Sequence, residues 1–467
     1  MKKTIELRQF LFLFFVLGSL IIQAQEYKNF DLNKYYTPDI VRNSLDLNLH
    51  LSNNFQTNKY ANDSTKSNSF SWDFRPNFLS YKSNRALIST KSVRIRTDGS
   101  FGKSGKIHDD FSRNSFYTEN SLDLNYSTYF YNKNESFFLL QLNANLSSVY
   151  NKSNLFTDGR KYNEIGNLNY SIKPYVGIGK GRLELVTDAR QAVYILDELS
   201  KKGKLKQDLT DMQIFEFAQV ISKVKNKRFL DARLRKIEEI STVDSFLLKN
   251  NYLTNQDAAY FTTLYDFWEK GALYDRYSGQ SIELNISPNI GFENKLNKTY
   301  LHQNGDFNST KLYNGELNLQ YRFEKSIGLN WQQSMYAKLG TIFSAGEGEN
   351  KNDINVIEKS EGTITDGLFY VSYNLSFYPS TRTRLMFSAN SYNKLKIYDN
   401  ILVNGITQPK RIEKDFNVGG GVYLDYYISQ QLRFSVSTGT NLNINNLYND
   451  EKLFRYGIDA SIFYSIF

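Results

Sequence analysis

The chain contains no cysteine, and only six prolines, three histidines and three tryptophans in 467 residues. Without cysteine there is no disulfide scaffold, and no lipid-bearing cysteine can follow a leader. The low proline content excludes a collagen, and 40% hydrophobic residues exclude a disordered tail. After Ala24 no segment approaches the roughly 18 consecutive apolar residues of a transmembrane helix. What is present is aromatic: 34 Tyr and 34 Phe, against a polar mean hydropathy of -0.50. That pairing points to an all-β chain with a lipid-facing surface.

The N-terminus reads as an export signal over residues 1–24, with Lys2 and Lys3, an apolar core of 13 residues from Phe10 to Ile22, and a small residue at Ala24. The formal charge is +9. An exported chain meets no nucleic acid, so anionic lipid or glycan is the relevant basic-chain partner.

Period-2 alternation runs through most of the remainder. Leu45, Leu47, Leu49 and Leu51 alternate with Asp46, Asn48, His50 and Ser52; Leu317, Leu319, Tyr321 and Phe323 alternate with Asn318, Gln320 and Arg322. One face is apolar and the other polar. Fourteen such runs can be counted, six within residues 43–178 and eight within 279–467. Connections after odd runs are long, as at Gln56 to Ser67, Asn151 to Ile165 and Ala345 to Gly362, and those after even runs are brief. This parity predicts an antiparallel outer-membrane β-barrel of about 14 strands, an all-β transmembrane fold with long loops outside the cell and short turns in the periplasm.

Between strands six and seven the period changes to 3.6. Residues 187–275 carry four apolar stripes, beginning Ala189, Ala192, Val193, Leu196 and Leu199. Gly203 and Gly271 read as helix stops, and Thr210 with Gln213 as a capping box. A four-helix, all-α periplasmic insert is expected, with residues 25–42 as an N-terminal periplasmic segment or plug.

The junction Gly177-Ile178-Gly179-Lys180-Gly181-Arg182-Leu183-Glu184-Leu185-Val186-Thr187-Asp188-Ala189-Arg190-Gln191-Ala192, the segment Lys225-Asn226-Lys227-Arg228-Phe229-Leu230-Asp231-Ala232-Arg233 and the Asn/Tyr/Phe-rich strands resemble outer-membrane β-barrel proteins of Bacteroidetes, of the porin-like type with a periplasmic helical insert. The resemblance implies a fold and a cellular location, and no catalytic or binding residue.

Polar positions facing the barrel interior supply the lumen-lining candidates Asp46, Asn48, His50, Asp73, Arg75, Arg94, Arg96, Glu316, Gln320, Arg322, Glu324, Gln332, Lys338, Arg382 and Arg384. A basic run in the insert, Lys223, Lys225, Lys227, Arg228, Arg233, Arg235 and Lys236, reads either as a solvated helix face or as a dock for anionic lipid or an acidic partner. The Gly177 to Gly181 stretch lacks the Gly-Lys-Ser/Thr ending of a phosphate loop. His108 and His302 sit in outer loops with no serine motif beside them. No catalytic residue, no metal and no cofactor is expected.

The leading expectation is a channel or transporter for small polar solutes, gated or docked through its helices. A non-conducting membrane anchor or envelope scaffold stands as the alternative, and an outer-membrane hydrolase as the third. Expected partners are outer-membrane lipid and a periplasmic protein or cell-wall polymer held by the insert, with no nucleic acid and the oligomeric state open.

Overall fold

A computed structural model describes residues 30–60, 63–106, 112–156, 161–227, 232–299, 305–351, 357–429, 432–445 and 451–464. The signal segment 1–24, His108, His302 and Arg228 lie outside these residues, as does the side chain of Arg233.

The described residues open with a short 3-10 turn, Leu32–Lys34. Six strands follow: β1 (Ile40–Tyr60), β2 (Asp63–Ser83), β3 (Leu87–Lys106), β4 (Ser112–Tyr131), β5 (Ser136–Phe156) and β6 (Lys161–Leu185). Four helices come next, α1 (Thr187–Lys201), α2 (Asp211–Lys225), α3 (Ala232–Lys249) and α4 (Ala258–Lys270). The remaining strands are β7 (Tyr277–Thr299), β8 (Asp306–Ile327), β9 (Trp331–Lys351), β10 (Ile357–Ser380), β11 (Thr383–Val403), β12 (Ile406–Thr407), β13 (Arg411–Tyr427), β14 (Leu432–Asn445) and β15 (Glu451–Tyr464).

All fifteen strands join one antiparallel sheet. Each long strand pairs with its neighbours in the chain, and the two-residue β12 pairs only with β11. The sheet does not close. β1 has a ladder with β2 alone and β15 with β14 alone, and no ladder joins β1 to β15 among the described residues. Along both end strands the side chains of both faces stand exposed, Leu47 and Asn48 on β1 and Ile458 and Asp459 on β15.

This open sheet overturns the expected barrel, and with it the porin-like reading. Alternation reports which face of a strand is apolar, and it is the same in any one-sided sheet; closure is a relation between two edges that no single strand records. The parity of connections fails for a related reason. Gln56 pairs with Ser67, Asn151 with Ile165 and Ala345 with Thr363, so the described ends of segments expected as long loops continue the hairpins as strand. Polar residues in these flanks, as at Asn54, Thr57 and Lys59, keep the ladder. With no closed wall there is no lumen, and the conducting role loses its basis. The assignment to an outer membrane, with helices in the periplasm and loops outside, rested on the two mouths of that ring and falls with it. No described helix is long and apolar enough to cross a membrane.

The sheet curls with its polar side inward. Lys173 on β6 reaches over β7 to Glu316 on β8, at 2.7 Å, and Arg85 between β2 and β3 reaches Glu184 on β6, at 3.3 Å. The apolar side is therefore convex, and it is exposed. A single row of ladder partners, Phe130, Phe138, Ile178, Leu284, Leu319, Leu339 and Phe369, crosses seven strands on it.

The buried core belongs to the helices. Ala189, Ala192, Val193, Leu196 and Leu199 of α1 are fully buried because α1 packs against both α2 and α4. Ile214, Phe217, Ala218 and Ile221 of α2, Val243 and Leu247 of α3, and Tyr260 and Leu264 of α4 complete it. The capping box at Thr210 forms both of its hydrogen bonds with Gln213, and Gly203 follows α1 at φ 65°, a left-handed position suited to glycine.

Candidate functional site

Helices and sheet meet at a seam built from three pieces of chain. The first is the N-terminal segment. Phe30, Leu32 and Tyr35 are buried in the helical core, Phe30 against Phe215 of α2 at 5.1 Å between ring centroids. Asn33 donates to the Ser326 carbonyl at 2.8 Å and accepts from Ser278 Oγ at 2.8 Å, which ties the same segment to β8 and β7. It therefore bridges helices and sheet.

The second is a buried polar chain. Tyr35 Oη lies 2.9 Å from Ser222 Oγ, Ser222 donates to Asp188 Oδ2 at 2.5 Å, and Lys225 Nζ donates to Asp188 Oδ1 at 2.7 Å. Burial pushes the Tyr35 phenol well above its ordinary value near 10. Burial also raises Tyr260, with the Asp244 carboxylate it donates to adding to the effect, and burial raises Tyr274. The sign follows directly. These phenols stay protonated in the fold while the unfolded chain gives up its protons, so their contribution is intact below pH 10 and is lost as pH rises above it. Helical circular dichroism is expected to hold to about pH 10 and to fall cooperatively above it. A signal that stays constant while every tyrosine absorbs as phenolate would contradict this.

The third piece is Arg276, between α4 and β7 and completely buried. Its Nε donates to Gln332 Oε1 at 2.8 Å, Nη1 to the Leu329 carbonyl at 2.9 Å and Nη2 to the Trp331 carbonyl at 2.5 Å. Every acceptor is neutral. Burial, and then the positive charge of Arg190, bring its pKa down to about 10. Across the seam Val186 N donates to the Arg276 carbonyl at 2.7 Å and Arg276 N to Thr187 Oγ1 at 2.8 Å, closing the two ends of the helical unit on each other.

The fifteen polar-face residues are spread over four places. Asp46, Asn48 and His50 lie on the exposed edge strand β1, with Asn48 opposite Arg75 and His50 opposite Asp73, and those two residues pair with each other. Arg96 pairs with Asp98 at 2.6 Å and reaches Glu119 at 3.6 Å, while Arg94 lies exposed opposite Asp123. Mid-sheet, Glu316 is buried between Lys173 and Lys338, at 2.7 and 2.6 Å; Gln320 donates to Asn318 and accepts from Tyr336, whose ring faces Arg322 at 5.6 Å. The fourth place is the helical end. Glu324 accepts from Gln332, Gln332 accepts from Arg276, Arg382 reaches Asp266 of α4 at 3.6 Å, and Arg384 holds Asp425 at 2.5 Å.

The basic run of the helices is largely matched by acids. Lys225 pairs with Asp188, Lys227 with Glu238, Arg235 with Glu239 and Lys236 with Glu269; Lys223 is exposed. Only Lys227–Glu238 is exposed on both partners; the acids held by Lys225, Arg235 and Lys236 are largely buried, so those basic residues are engaged by the helical unit itself. The Gly177 to Gly181 stretch is part of β6, paired with β7, and not a loop. No group of three or more potential metal ligands forms among the described residues. The seam residues Arg190, Arg276, Asp188 and Ser222 were not singled out from the sequence as site residues. The one available signal was an arginine, Arg190, set inside an otherwise apolar stripe.

No family model matches the chain, and no curated protein does. Among solved structures the chain is similar to the transport unit of the autotransporter AIDA-I from Escherichia coli, at 11% identity and TM-score 0.29, covering 82% of this chain and 91% of that one. It is also similar to the translocator domain of the autotransporter NalP from Neisseria meningitidis, at 6% identity and TM-score 0.21, covering 91% and 88%. At these scores the likeness is remote and carries no argument. The resemblance to Bacteroidetes outer-membrane barrels implied a closed ring, which the open edges β1 and β15 overturn.

Proposed function

We propose that the chain is a non-enzymatic, lipid-associating protein whose sheet takes acyl chains on its convex face and whose helices form a rigid cap at one end. The observation that carries this is the exposed apolar row from Phe130 to Phe369, repeated by Ile172, Ile286, Leu317 and Phe343 on the same strands. Monomers in water rarely leave so extended an apolar patch uncovered. A rigid second copy cannot follow a convex face along its width, whereas a fluid acyl phase can. Neither nucleic acid nor a cofactor enters this reading.

The test is flotation of the refolded full chain with phosphatidylethanolamine and phosphatidylglycerol vesicles, combined with tryptophan quenching by brominated acyl chains. Trp331, laddered between Ile327 and Phe377, should be quenched, and the buried Trp268 of the helical core should not. A chain that stays monodisperse without detergent, does not float and shows no Trp331 quenching refutes the proposal.

A further inference from the structure

Arg190 on α1 is completely buried, and none of its three side-chain nitrogens has a hydrogen-bond partner. Its guanidinium lies 4.9 Å from the Tyr378 ring centroid and 5.2 Å from that of Tyr194. Arg276, also completely buried, lies 4.9 Å from the same Tyr378 ring. Neither arginine forms an ion pair among the described residues, and the hydrogen bonds of Arg276 are spent on neutral acceptors. One further donor close by is unused, the buried hydroxyl of Tyr194, whose ring lies 5.2 Å from the Arg190 guanidinium. The unpartnered acceptors nearest in the chain, Asn330 Oδ1 and Gln191 Oε1, are amides and bring no counter-charge.

Glu324, which accepts from Gln332, offsets part of the Arg276 charge, whereas Arg190, without any acceptor, and the unused Tyr194 hydroxyl leave a place for negative charge. Ring faces offset part of the desolvation cost of a guanidinium but satisfy none of its N–H groups. We propose that Arg190 holds a small oxyanion of the phosphate type, with the Tyr194 hydroxyl as a further donor and Arg276 as the second positive charge. Because both arginines are completely buried, the anion is free inorganic phosphate taken up as the chain folds, and not a lipid headgroup.

The full chain is refolded in radiolabelled inorganic phosphate at fixed ionic strength and freed of unbound label. The expected result is one phosphate retained per chain and a melting temperature higher than after refolding in chloride alone. Arg190→Met should retain at least tenfold less, with Arg190→Lys between the two. Loss of helical circular dichroism in Arg190→Met shifts the decision to the wild-type chain, where excess sulfate during refolding should exclude phosphate. Failure of the wild type to retain label, equal retention by a folded Arg190→Met, or bound water alone in a crystal grown from phosphate overturns the proposal. So does uptake of glycerol 1-phosphate with exclusion of inorganic phosphate, which would assign the site to a headgroup.

Discussion

Replacing Arg276 with methionine is expected to lower stability by about 2–4 kcal/mol, read as a fall in the unfolding midpoint of the helical signal. The guanidinium donates to Gln332 Oε1 and to the carbonyls of Leu329 and Trp331. Gln332 keeps other partners, Ser326 and Glu324 among them. The two carbonyls do not recover a donor from methionine, and each orphaned buried acceptor costs roughly 1–3 kcal/mol. Part of this is offset, because methionine relieves the desolvation of a buried charge. Lysine, with a point charge and no planar fork, cannot reach all three acceptors and should recover only part of the loss. An unchanged midpoint in Arg276→Met would mean that the seam is wet and the carbonyls find water.

Removing the N-terminal segment through Tyr36 should have the second large effect. Phe30, Leu32 and Tyr35 are each buried to within a few per cent, and burial of such side chains stabilises by roughly 1.5–3 kcal/mol apiece, an upper estimate because unfolded chains are partly compact. Deletion also exposes the Phe215 ring on α2 and removes the Tyr35 hydroxyl from the chain that ends at Asp188 and Lys225. The milder Leu32→Ala should cost about 2–5 kcal/mol as a cavity in the same core. The check is limited proteolysis followed by mass spectrometry. Cleavage should appear in α2 and α3 of the truncated chain while the strands stay protected; an unchanged pattern would show that the segment only rests on the helices.

How much of this could be read beforehand follows from what each residue pattern reports. Strand faces were legible because Leu45 to Leu51 and Leu317 to Phe323 alternate strictly, and the four helices because stripes such as Ala189 to Leu199 repeat at 3.6. The open edges were not legible, since Leu47 and Ile458 look the same whether or not a neighbour lies alongside. Polar hairpin ends such as Gln56 to Tyr60 have the composition of loops, and only their cross-strand partners mark them as strand. At the seam the difficulty was one of boundaries. Arg276 lies one residue beyond the helical stretch that ends at Asp275, and its partners come from a turn some fifty residues later. The docking of Phe30, Leu32 and Tyr35 onto α2 depends on contacts across nearly two hundred residues, which no local period encodes.

The bond that closes Val186 on Arg276 bears on the order in which the molecule assembles. Every long strand pairs with a neighbour reached through a short connection, except β6 with β7, which are separated by residues 186–276. Left unfolded, a link of about 90 residues would set the entropy of joining the two halves of the sheet roughly 3 kcal/mol above that of an ordinary tight turn. Once the helices have folded, their ends lie side by side, and the unit behaves as one oversized hairpin turn. The helical unit thus acts as a kinetic gate on zipping of the second half of the sheet, so helix-destabilising changes should slow registration of β7 on β6 before they alter any strand.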